Sequence, residues 1–331
     1  MPEVRSQNRV TDRAFQEAHQ KLAKARAEIG KVIFGQNSVI NQTLVTLVSG
    51  GHLLLIGVPG LAKTLLVDTT AKVLGLDTAR VQCTPDLMPA DILGSEVLEE
   101  GADGKRSFRF IKGPIFTQLL MADEINRASP RTQSALLQAM QEKEVTVSGK
   151  AYDVPKPFHV LATQNPIEQE GTYPLPEAQL DRFLMQVDVD YPARDAERDM
   201  LIATTTNNVR TASAVLKPEE LLEIQSLVRD MPIGDSVVDA ILTLVRRGRP
   251  DSGASDIVKD YVAWAPGPRA AQALMLAVRA SALIDGREAP SIDDVIDLAE
   301  PVLKHRMALN YKARGSGITL QDVIRGLSES L

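Results

Sequence analysis

Cysteine is nearly absent from this sequence, and no hydrophobic run is long enough to span a membrane. The single cysteine, Cys83, excludes an intrachain disulfide and a cysteine-based zinc site, and we expect it to be a buried, unreactive thiol. The four histidines lie far apart and lack the spacing of a metal-binding motif: His19, His52, His159 and His305. We therefore expect the histidines to be structural.

A strong excess of charge of either sign is also missing. Lys and Arg number 37 against 43 Asp and Glu, a net charge of −6, which provides no general attraction for nucleic acid or anionic lipid. The first ten residues lack the apolar stretch of a signal peptide. The chain has 331 residues, of which 44% are hydrophobic, as in a soluble protein of about two domains. We expect a cytoplasmic protein without membrane insertion and without a nucleic-acid partner.

The first part of the chain alternates helix and strand patterns, as is typical of an α/β domain with a parallel sheet. Apolar residues at helical spacing predict helices over 11–33, 38–48 and 65–74. Short apolar runs predict buried strands over 52–56, 118–124 and 158–165. Two segments, 95–114 and 144–154, pair β-rich runs across turn residues, and we interpret both as inserted β-hairpins, the first turning at 101–104.

The character of the sequence changes near Tyr191. We see no strand pattern beyond this residue, whereas helical patterns cover 218–230, 235–247, 269–284 and 292–304. We therefore predict that residues 1–190 form an α/β domain that begins with an N-terminal helix. Residues 191–331 are predicted to form an all-α domain.

A glycine-rich loop follows the first predicted strand and leads into a helix. Its sequence, Gly57-Val58-Pro59-Gly60-Leu61-Ala62-Lys63-Thr64, has the order that phosphate binding requires, because glycines let backbone N–H groups approach phosphate oxygens at a helix N-terminus. Lys63 would pair with the β- and γ-phosphates, and the Thr64 hydroxyl would bind Mg²⁺. Ala62 stands where a second glycine is usual and restricts the backbone. An ordinary glycine turn is the alternative interpretation.

Polar residues end the two other predicted strands. Asp123 and Glu124 follow one apolar run, and Asn165 follows the next, so all three are expected at the carboxyl edge of the sheet. Asp123 would bind Mg²⁺ together with the hydroxyl of the loop, and Glu124 would orient and deprotonate the attacking water. Asn165 would hydrogen-bond the γ-phosphate or that water. Taken alone, the carboxylates could be a solvated strand end and Asn165 a turn residue before proline.

Two arginines stand in suggestive positions. Arg182 precedes the last predicted strand, and Arg269 opens a helix of the second domain. A guanidinium from a neighbouring subunit stabilises charge that develops during phosphoryl transfer, and Arg182 suits this role. Arg269 could reach the phosphates from the second domain and couple the angle between the domains to the nucleotide state.

In combination, these motifs resemble the MoxR family of AAA+ ATPases over nearly the whole chain, including Ala62 in the loop. The residues that carry the resemblance are Val32 to Gln36, Gly57 to Thr64, Ala122 to Ala128, Gln133 to Met140, Ala162 to Pro166 and Glu177 to Phe183.

The resemblance implies a P-loop AAA+ core with a C-terminal helical lid, and it implies a role for each candidate residue. Val32, Ile33, Gly35 and Gln36 would lie against adenine, and Gly57, Val58, Pro59, Gly60, Leu61, Ala62, Lys63 and Thr64 would form the Walker A contacts with ATP. Asp123 and Glu124 would be Walker B, Asn165 sensor 1, Arg269 sensor 2 and Arg182 the arginine finger that acts in trans. Arg127 and Arg131 are the alternatives for the trans contact.

The same resemblance implies an Mg²⁺-dependent ATPase that forms a homo-oligomeric ring, a hexamer. This ring would remodel, assemble or activate client proteins, with a partner bearing a von Willebrand factor A (VWA) domain. One alternative is the motor subunit of a metal chelatase, and another is a scaffold that binds ATP without hydrolysing it. A motor acting on nucleic acid is disfavoured, because the first hairpin mixes Lys105, Arg106 and Arg109 with Glu96, Glu99, Glu100 and Asp103.

Overall fold

A computed structural model of the chain describes residues 12–100, 106–168, 170–206, 210–251, 254–329 and 331. The contacts divide the chain into two compact units, Ala27–Pro218 and Met1–Arg26 with Glu219–Leu331. Within the described residues, no helix is long and apolar enough to cross a bilayer.

The larger unit contains the α/β part of the chain. Its helices are the end of α1 (Asp12–Gly30), α2 (Asn37–Val48), α3 (Lys63–Leu74), α4 (Pro89–Leu93), α5 (Pro130–Glu142), α6 (Glu177–Leu180) and α7 (Arg194–Thr204), with a 3₁₀ turn over Ile125–Arg127. Its strands are β1 (Leu53–Ile56), β2 (Thr78–Gln82), β3 (Gly94–Glu100), β4 (Arg106–Lys112), β5 (Leu119–Asp123), β6 (Glu144–Val147), β7 (Lys150–Asp153), β8 (His159–Gln164) and β9 (Met185–Asp188).

Five parallel strands form the central sheet, in the order β2-β5-β8-β1-β9. The strands β1, β5 and β8 are apolar and almost entirely buried, because they occupy the interior of the sheet. From β1 the chain crosses to the far edge at β2, returns through β5 and β8, and then passes to the other side of β1. This reversal beside β1 is the position at which open α/β sheets bind their ligands, outside the carboxyl ends of the strands.

Strand β2 was missed by the sequence analysis. It lies at an edge of the sheet, and of its residues only Val81 is buried, so it lacks the continuous apolar run that marks β1 and β5. Its pairing with β5 places Gln82 beside Asp123.

Both predicted hairpins are present. Strands β3 and β4 pair in an antiparallel register, as do β6 and β7, whereas the predicted turn at 101–104 lies outside the described residues. The rings of Phe110 and Tyr152 stack with centroids 4.2 Å apart and so join the two hairpins. The two hairpins therefore pack against each other at this ring pair.

The smaller unit is mainly helical. Its elements are α8 (Pro218–Asp230), α9 (Asp235–Arg247), α10 (Asp256–Tyr261), β10 (Val262–Trp264), α11 (Pro268–Ile284), α12 (Ile292–Leu303), β11 (Ala308–Leu309), α13 (Tyr311–Ser316) and α14 (Leu320–Ser328). Helices α8 and α9 begin and end at the residues predicted for them, 218–230 and 235–247. The expectation of no strand beyond Tyr191 was wrong, because β10 and β11 pair in an antiparallel register. Strands this short leave no periodic pattern in a sequence.

The limits of the two units differ from the predicted boundary at residue 190. The α/β unit continues to Pro218 because the backbone N–H groups of Val215 and Leu216 donate to the carbonyl oxygen of Val73, at 2.8 and 3.1 Å. Residues up to Arg26 group with the helical unit instead, where the Lys21 ammonium lies 2.7 Å from the Glu220 carboxylate. The sequence signal near Asp190 therefore marks the end of the sheet, and the chain leaves the α/β unit later.

Candidate nucleotide site

The glycine-rich loop joins the end of β1 to the start of α3. The N–H group of Gly57 donates to the Gln164 carbonyl oxygen at 3.2 Å, which holds the loop beside β8. A Cβ atom at Gly57 would lie 2.7 Å from the Val189 carbonyl oxygen, so the close approach requires glycine. Ala62, the departure from the usual loop sequence, caps α3 in the left-handed conformation with φ +56° and ψ +23°. Such a conformation costs alanine about 1 kcal/mol that glycine would not pay.

Lys63 begins α3 and turns its side chain back over the loop. Its Nζ donates to the carbonyl oxygens of Gly57 and Val58, at 2.6 and 2.8 Å. Burial lowers the pKa of Lys63, whereas the negative charges of Asp123 and Glu124 raise it. The loop carbonyls therefore hold the ammonium, and both carboxylates act on it electrostatically. Thr64 follows in the first turn of the helix, with its side chain half-buried.

Asp123 is the last residue of β5, and its carboxylate is held on both oxygens. The buried Thr163 hydroxyl donates to Oδ1 at 2.5 Å, and Arg80 Nη2 donates to Oδ2 at 2.5 Å. Bonds of this kind between a charged carboxylate and its donors are the stronger class of protein hydrogen bonds. Asp123 is therefore an oriented carboxylate at the carboxyl edge of the sheet.

Glu124 leaves the strand in the left-handed conformation, with φ +54° and ψ +51°. Its N–H group donates to the same Thr163 hydroxyl at 2.9 Å, so this hydroxyl joins the backbone of Glu124 to the carboxylate of Asp123. The Oε2 atom of Glu124 accepts from Gln82 Nε2 at 2.9 Å and from Arg127 Nη1 at 3.0 Å. The backbone of Glu124 is thus held by Thr163, and its carboxylate by Gln82 and Arg127.

Asn165 directly follows β8, next to the strand that carries the loop. Its side chain is buried, and Oδ1 accepts from the Ile167 N–H group at 3.1 Å, which is the local bond of a turn asparagine. The register pairs Gln164 with Ile56, so Asn165 and the start of the loop share one edge of the sheet. The structure therefore brings together Lys63, Asp123, Glu124 and Asn165.

The segment from Val32 to Gln36 lies beside the chain that follows β9. Gln36 Nε2 donates to the Asp190 carbonyl oxygen at 3.2 Å, and the Ile33 side chain is buried. A Cβ atom at Gly35, which has φ +69°, would lie 2.4 Å from the Cβ of Ala196 in α7. Only glycine fits this contact.

The four candidate arginines lie in different surroundings. Arg127 pairs with Glu124 of its own chain, whereas Arg131 is exposed in the first turn of α5. Arg182 follows α6 and is half-buried, and its backbone N–H group donates to the Gln179 carbonyl oxygen at 3.2 Å. Arg269 is exposed in the first turn of α11 in the helical unit. The guanidinium of Arg127 therefore contacts the Glu124 carboxylate, with Nη1 3.0 Å from Oε2.

Three side chains that contact the carboxylates were not predicted: Arg80, Gln82 and Thr163. Arg80 and Gln82 belong to β2, the strand that was missed, and Arg80 Nη2 also donates to Gln82 Oε1 at 3.1 Å. The period of two in Ala79 and Val81 was the available signal for this strand. Cys83, the next residue, is buried as predicted, and burial together with Asp123 and Glu124 raises the pKa of its thiol to about 12.

Comparisons with known proteins agree with this geometry. Residues 52–185 match the ATPase family associated with various cellular activities (AAA), and residues 254–327 match the AAA lid domain. A crystal structure described as that of a candidate ATPase from Cytophaga hutchinsonii superposes with a TM-score of 0.88 and 37% identity, covering 96% of each chain.

Curated relatives have similar lengths. A protein named Chaperone MoxR1 from Mycobacterium tuberculosis is 40% identical over 94% of this chain and 81% of its own. Protein MoxR from Paracoccus denitrificans is 31% identical over 88% of this chain and 90% of its own. These matches support nucleotide binding and ATPase activity, and they confirm the α/β fold with a C-terminal helical lid. This chain belongs to the MoxR family of AAA+ ATPases.

Proposed function

We propose that this protein binds ATP with Mg²⁺ and hydrolyses it within a homo-oligomeric ring, a hexamer, to remodel, assemble or activate client proteins. The observation that carries the proposal is the convergence of Lys63, Asp123 and Glu124 at the carboxyl edge of the sheet, each held by named hydrogen bonds. A protein that only binds nucleotide has no need of an oriented carboxylate behind the phosphate loop.

The residues at this edge fit a magnesium nucleotide. The Thr64 hydroxyl and the Asp123 carboxylate are hard oxygen ligands of the kind that Mg²⁺ prefers, and Asp123 is already oriented by Thr163. When bound, Mg²⁺ supplies positive charge next to the β- and γ-phosphate oxygens. Lys63 adds a second positive charge there, and the N–H groups from Gly57 to Thr64 add hydrogen-bond donors.

The chain's own side chains then account for hydrolysis. Glu124 accepts the proton of the attacking water as the general base, and its carboxylate is kept in place by Gln82 and Arg127. Asn165 orients the water or the γ-phosphate from the neighbouring strand end. The segment from Val32 to Gln36 lies against the adenine.

Two further arginines complete the site in this proposal. Arg182 contacts the γ-phosphate held by the neighbouring subunit, where its guanidinium stabilises the charge that develops during transfer. Arg269 contacts the phosphates from the lid, which couples the lid to the nucleotide state.

The first hairpin favours a protein client over nucleic acid. Two of its arginines are paired with carboxylates across the strands, because Arg109 lies 2.7 Å from Glu99 and Arg106 lies 3.2 Å from Glu100. Leu98 and Phe108 face each other on the hairpin, and 55% and 69% of their surfaces are exposed. An exposed apolar pair between balanced charges suits an unfolded protein segment. The VWA-domain partner is proposed from family likeness alone.

The first test is steady-state ATP hydrolysis with Mg²⁺ as a function of protein concentration, with Lys63→Ala and Glu124→Gln as controls. We expect the rate per subunit to rise with concentration, in parallel with ring formation measured by sedimentation velocity. Both variants should lose hydrolysis, and Glu124→Gln should still bind ATP. A rate per subunit that does not change with concentration would contradict a site shared between subunits, and full activity of Glu124→Gln would contradict the assigned base.

The client proposal has its own test. Unfolded casein should stimulate hydrolysis by the parent protein, and the double variant Leu98→Ser/Phe108→Ser should lose this stimulation while it keeps the basal rate. A matched control is Leu222→Ser in α8, which removes a leucine that is also exposed. Equal stimulation of all three proteins would rule out the hairpin as the contact with the client.

A further inference from the structure

Arg127 is bound to Glu124 through both its backbone and its side chain. The N–H group of Arg127 donates to the Glu124 carbonyl oxygen at 2.8 Å, which closes the 3₁₀ turn Ile125–Arg127. Its Nη1 donates to Glu124 Oε2 at 3.0 Å. The short turn therefore brings the guanidinium onto the carboxylate three residues before it.

The conformation of Glu124 needs this support. A left-handed backbone is costly for a residue with a side chain, and it persists only where the surroundings hold it. Thr163 holds the Glu124 backbone N–H, and Gln82 donates to the same carboxylate oxygen as Arg127 does. Of these three neighbours, only Arg127 brings a positive charge to the carboxylate.

A second acidic residue lies near Arg127 but contacts it more weakly. Glu168 Oε2 is 3.9 Å from Arg127 Nη1, too far for a hydrogen bond, and both side chains are about two-fifths exposed. Exposed pairs at this distance contribute little. The geometry therefore assigns the guanidinium to Glu124.

We propose that Arg127 is a positioning residue that acts in cis, holding the Glu124 carboxylate of its own subunit where it receives the proton of the attacking water. To reach a nucleotide in a neighbouring subunit, Arg127 would have to give up its bond to Glu124. The trans contact is therefore left to another arginine. The inference rests on the proposed role of Glu124 as the base.

The kinetic test compares Arg127→Ala and Arg127→Lys with the parent. We expect Arg127→Ala to lower kcat by about tenfold to a hundredfold, since small displacements of a reacting group have effects of this size. Its KM and its affinity for a fluorescent ATP analogue should stay within about twofold, because Arg127 does not bind the nucleotide. Arg127→Lys should recover part of the rate. An unchanged kcat in Arg127→Ala, or a loss confined to KM, would overturn the proposal.

Mixed rings separate a cis role from a trans role. A Lys63→Ala subunit has a defective nucleotide site but an intact Arg127 to offer its neighbour. A trans role therefore predicts that mixing Lys63→Ala with Arg127→Ala restores hydrolysis, whereas a cis role predicts no recovery. The control mixes Lys63→Ala with Arg182→Ala, for which we expect recovery. Recovery in the Arg127→Ala mixture would overturn the cis assignment.

If neither mixture recovers, the ring or the role of Arg182 is in question, and a double variant tests Arg127 without mixing. Adding Arg127→Ala to Glu124→Gln should change the residual rate by less than about twofold, because a residue that acts through Glu124 has little left to position. A further loss as large as in the parent background would show that Arg127 acts independently of Glu124.

Discussion

Replacement of Thr163 by valine tests whether one buried hydroxyl organises both carboxylates. Thr163 is fully buried, and its Oγ1 donates to Asp123 Oδ1 at 2.5 Å while it accepts from the Glu124 N–H group at 2.9 Å. Valine has nearly the same shape but can make neither bond. The change therefore removes two hydrogen bonds without leaving a large cavity.

The expected cost follows from these two bonds. A hydrogen bond to a charged group contributes about 1.5–3 kcal/mol, and a buried N–H group left without an acceptor costs about 1–3 kcal/mol. Asp123 keeps its bond from Arg80, so part of its stabilisation remains. We expect Thr163→Val to lower the free energy of unfolding by about 2–4 kcal/mol, somewhat less than the sum of the upper values.

The assay is urea unfolding followed by circular dichroism, together with ATP hydrolysis at saturating nucleotide. Thr163→Ser is the matched control, because serine keeps the hydroxyl and loses only a methyl group. We expect Thr163→Val to be less stable and at least tenfold slower than Thr163→Ser, a difference of about 1.4 kcal/mol in the barrier. If Thr163→Val unfolds within about 0.5 kcal/mol of the parent and keeps its rate, the bridging role is wrong.

Three further predictions concern stability. Ala62→Gly should raise the free energy of unfolding by up to about 1 kcal/mol in thermal melts, because it relieves a left-handed alanine; a clear loss would contradict the assigned conformation. Burial lowers the pKa of His52 from 6.5 to about 3 and that of His159 to about 4. Their contribution to the free energy of unfolding is therefore complete above pH 6.5 and declines as the pH falls toward 4. Each histidine then lowers the free energy of unfolding by up to about 1.4 kcal/mol per pH unit. The free energy of unfolding of His159→Gln should therefore decline less steeply between about pH 7 and about pH 5 than that of the parent; equal slopes would refute this. Arg287→Met should cost about 1–3 kcal/mol in urea, because it removes two 2.6 Å bonds to the buried Asp294 carboxylate, whereas Arg287→Lys should cost less; equal losses would show that the paired bonds do not matter.

The neutral state of His52 has a structural cause that the sequence does not reveal. Its Nδ1 accepts from the Val160 N–H group at 2.9 Å, and its Nε2 lies 3.2 Å from the Met140 carbonyl oxygen. Only the neutral ring with a proton on Nε2 satisfies both contacts. Protonation of Nδ1 would break the bond to Val160, which supports the direction of the expected pH dependence.

Elements with local signals could be predicted from the sequence alone. The glycine-rich loop with Lys63 and Thr64 depends on short-range backbone chemistry, and β1, β5 and β8 are marked by continuous apolar runs because they are buried on both faces. The two hairpins follow from turn residues between β-rich runs. Strand ends carrying Asp123, Glu124 and Asn165 could be assigned to one edge because parallel strands share their direction.

The side chains that support that edge could be identified only from the packing of the strands. Arg80 and Gln82 reach the carboxylates because β2 crosses to the far side of the sheet and pairs with β5, a choice that no local pattern encodes. Thr163 joins Asp123 to Glu124 only because β8 lies next to β5. The pairing of Arg127 with Glu124 likewise depends on a left-handed backbone that the sequence does not announce. Contacts between residues distant in sequence depend on strand order and side-chain direction, and these are properties of the packed sheet.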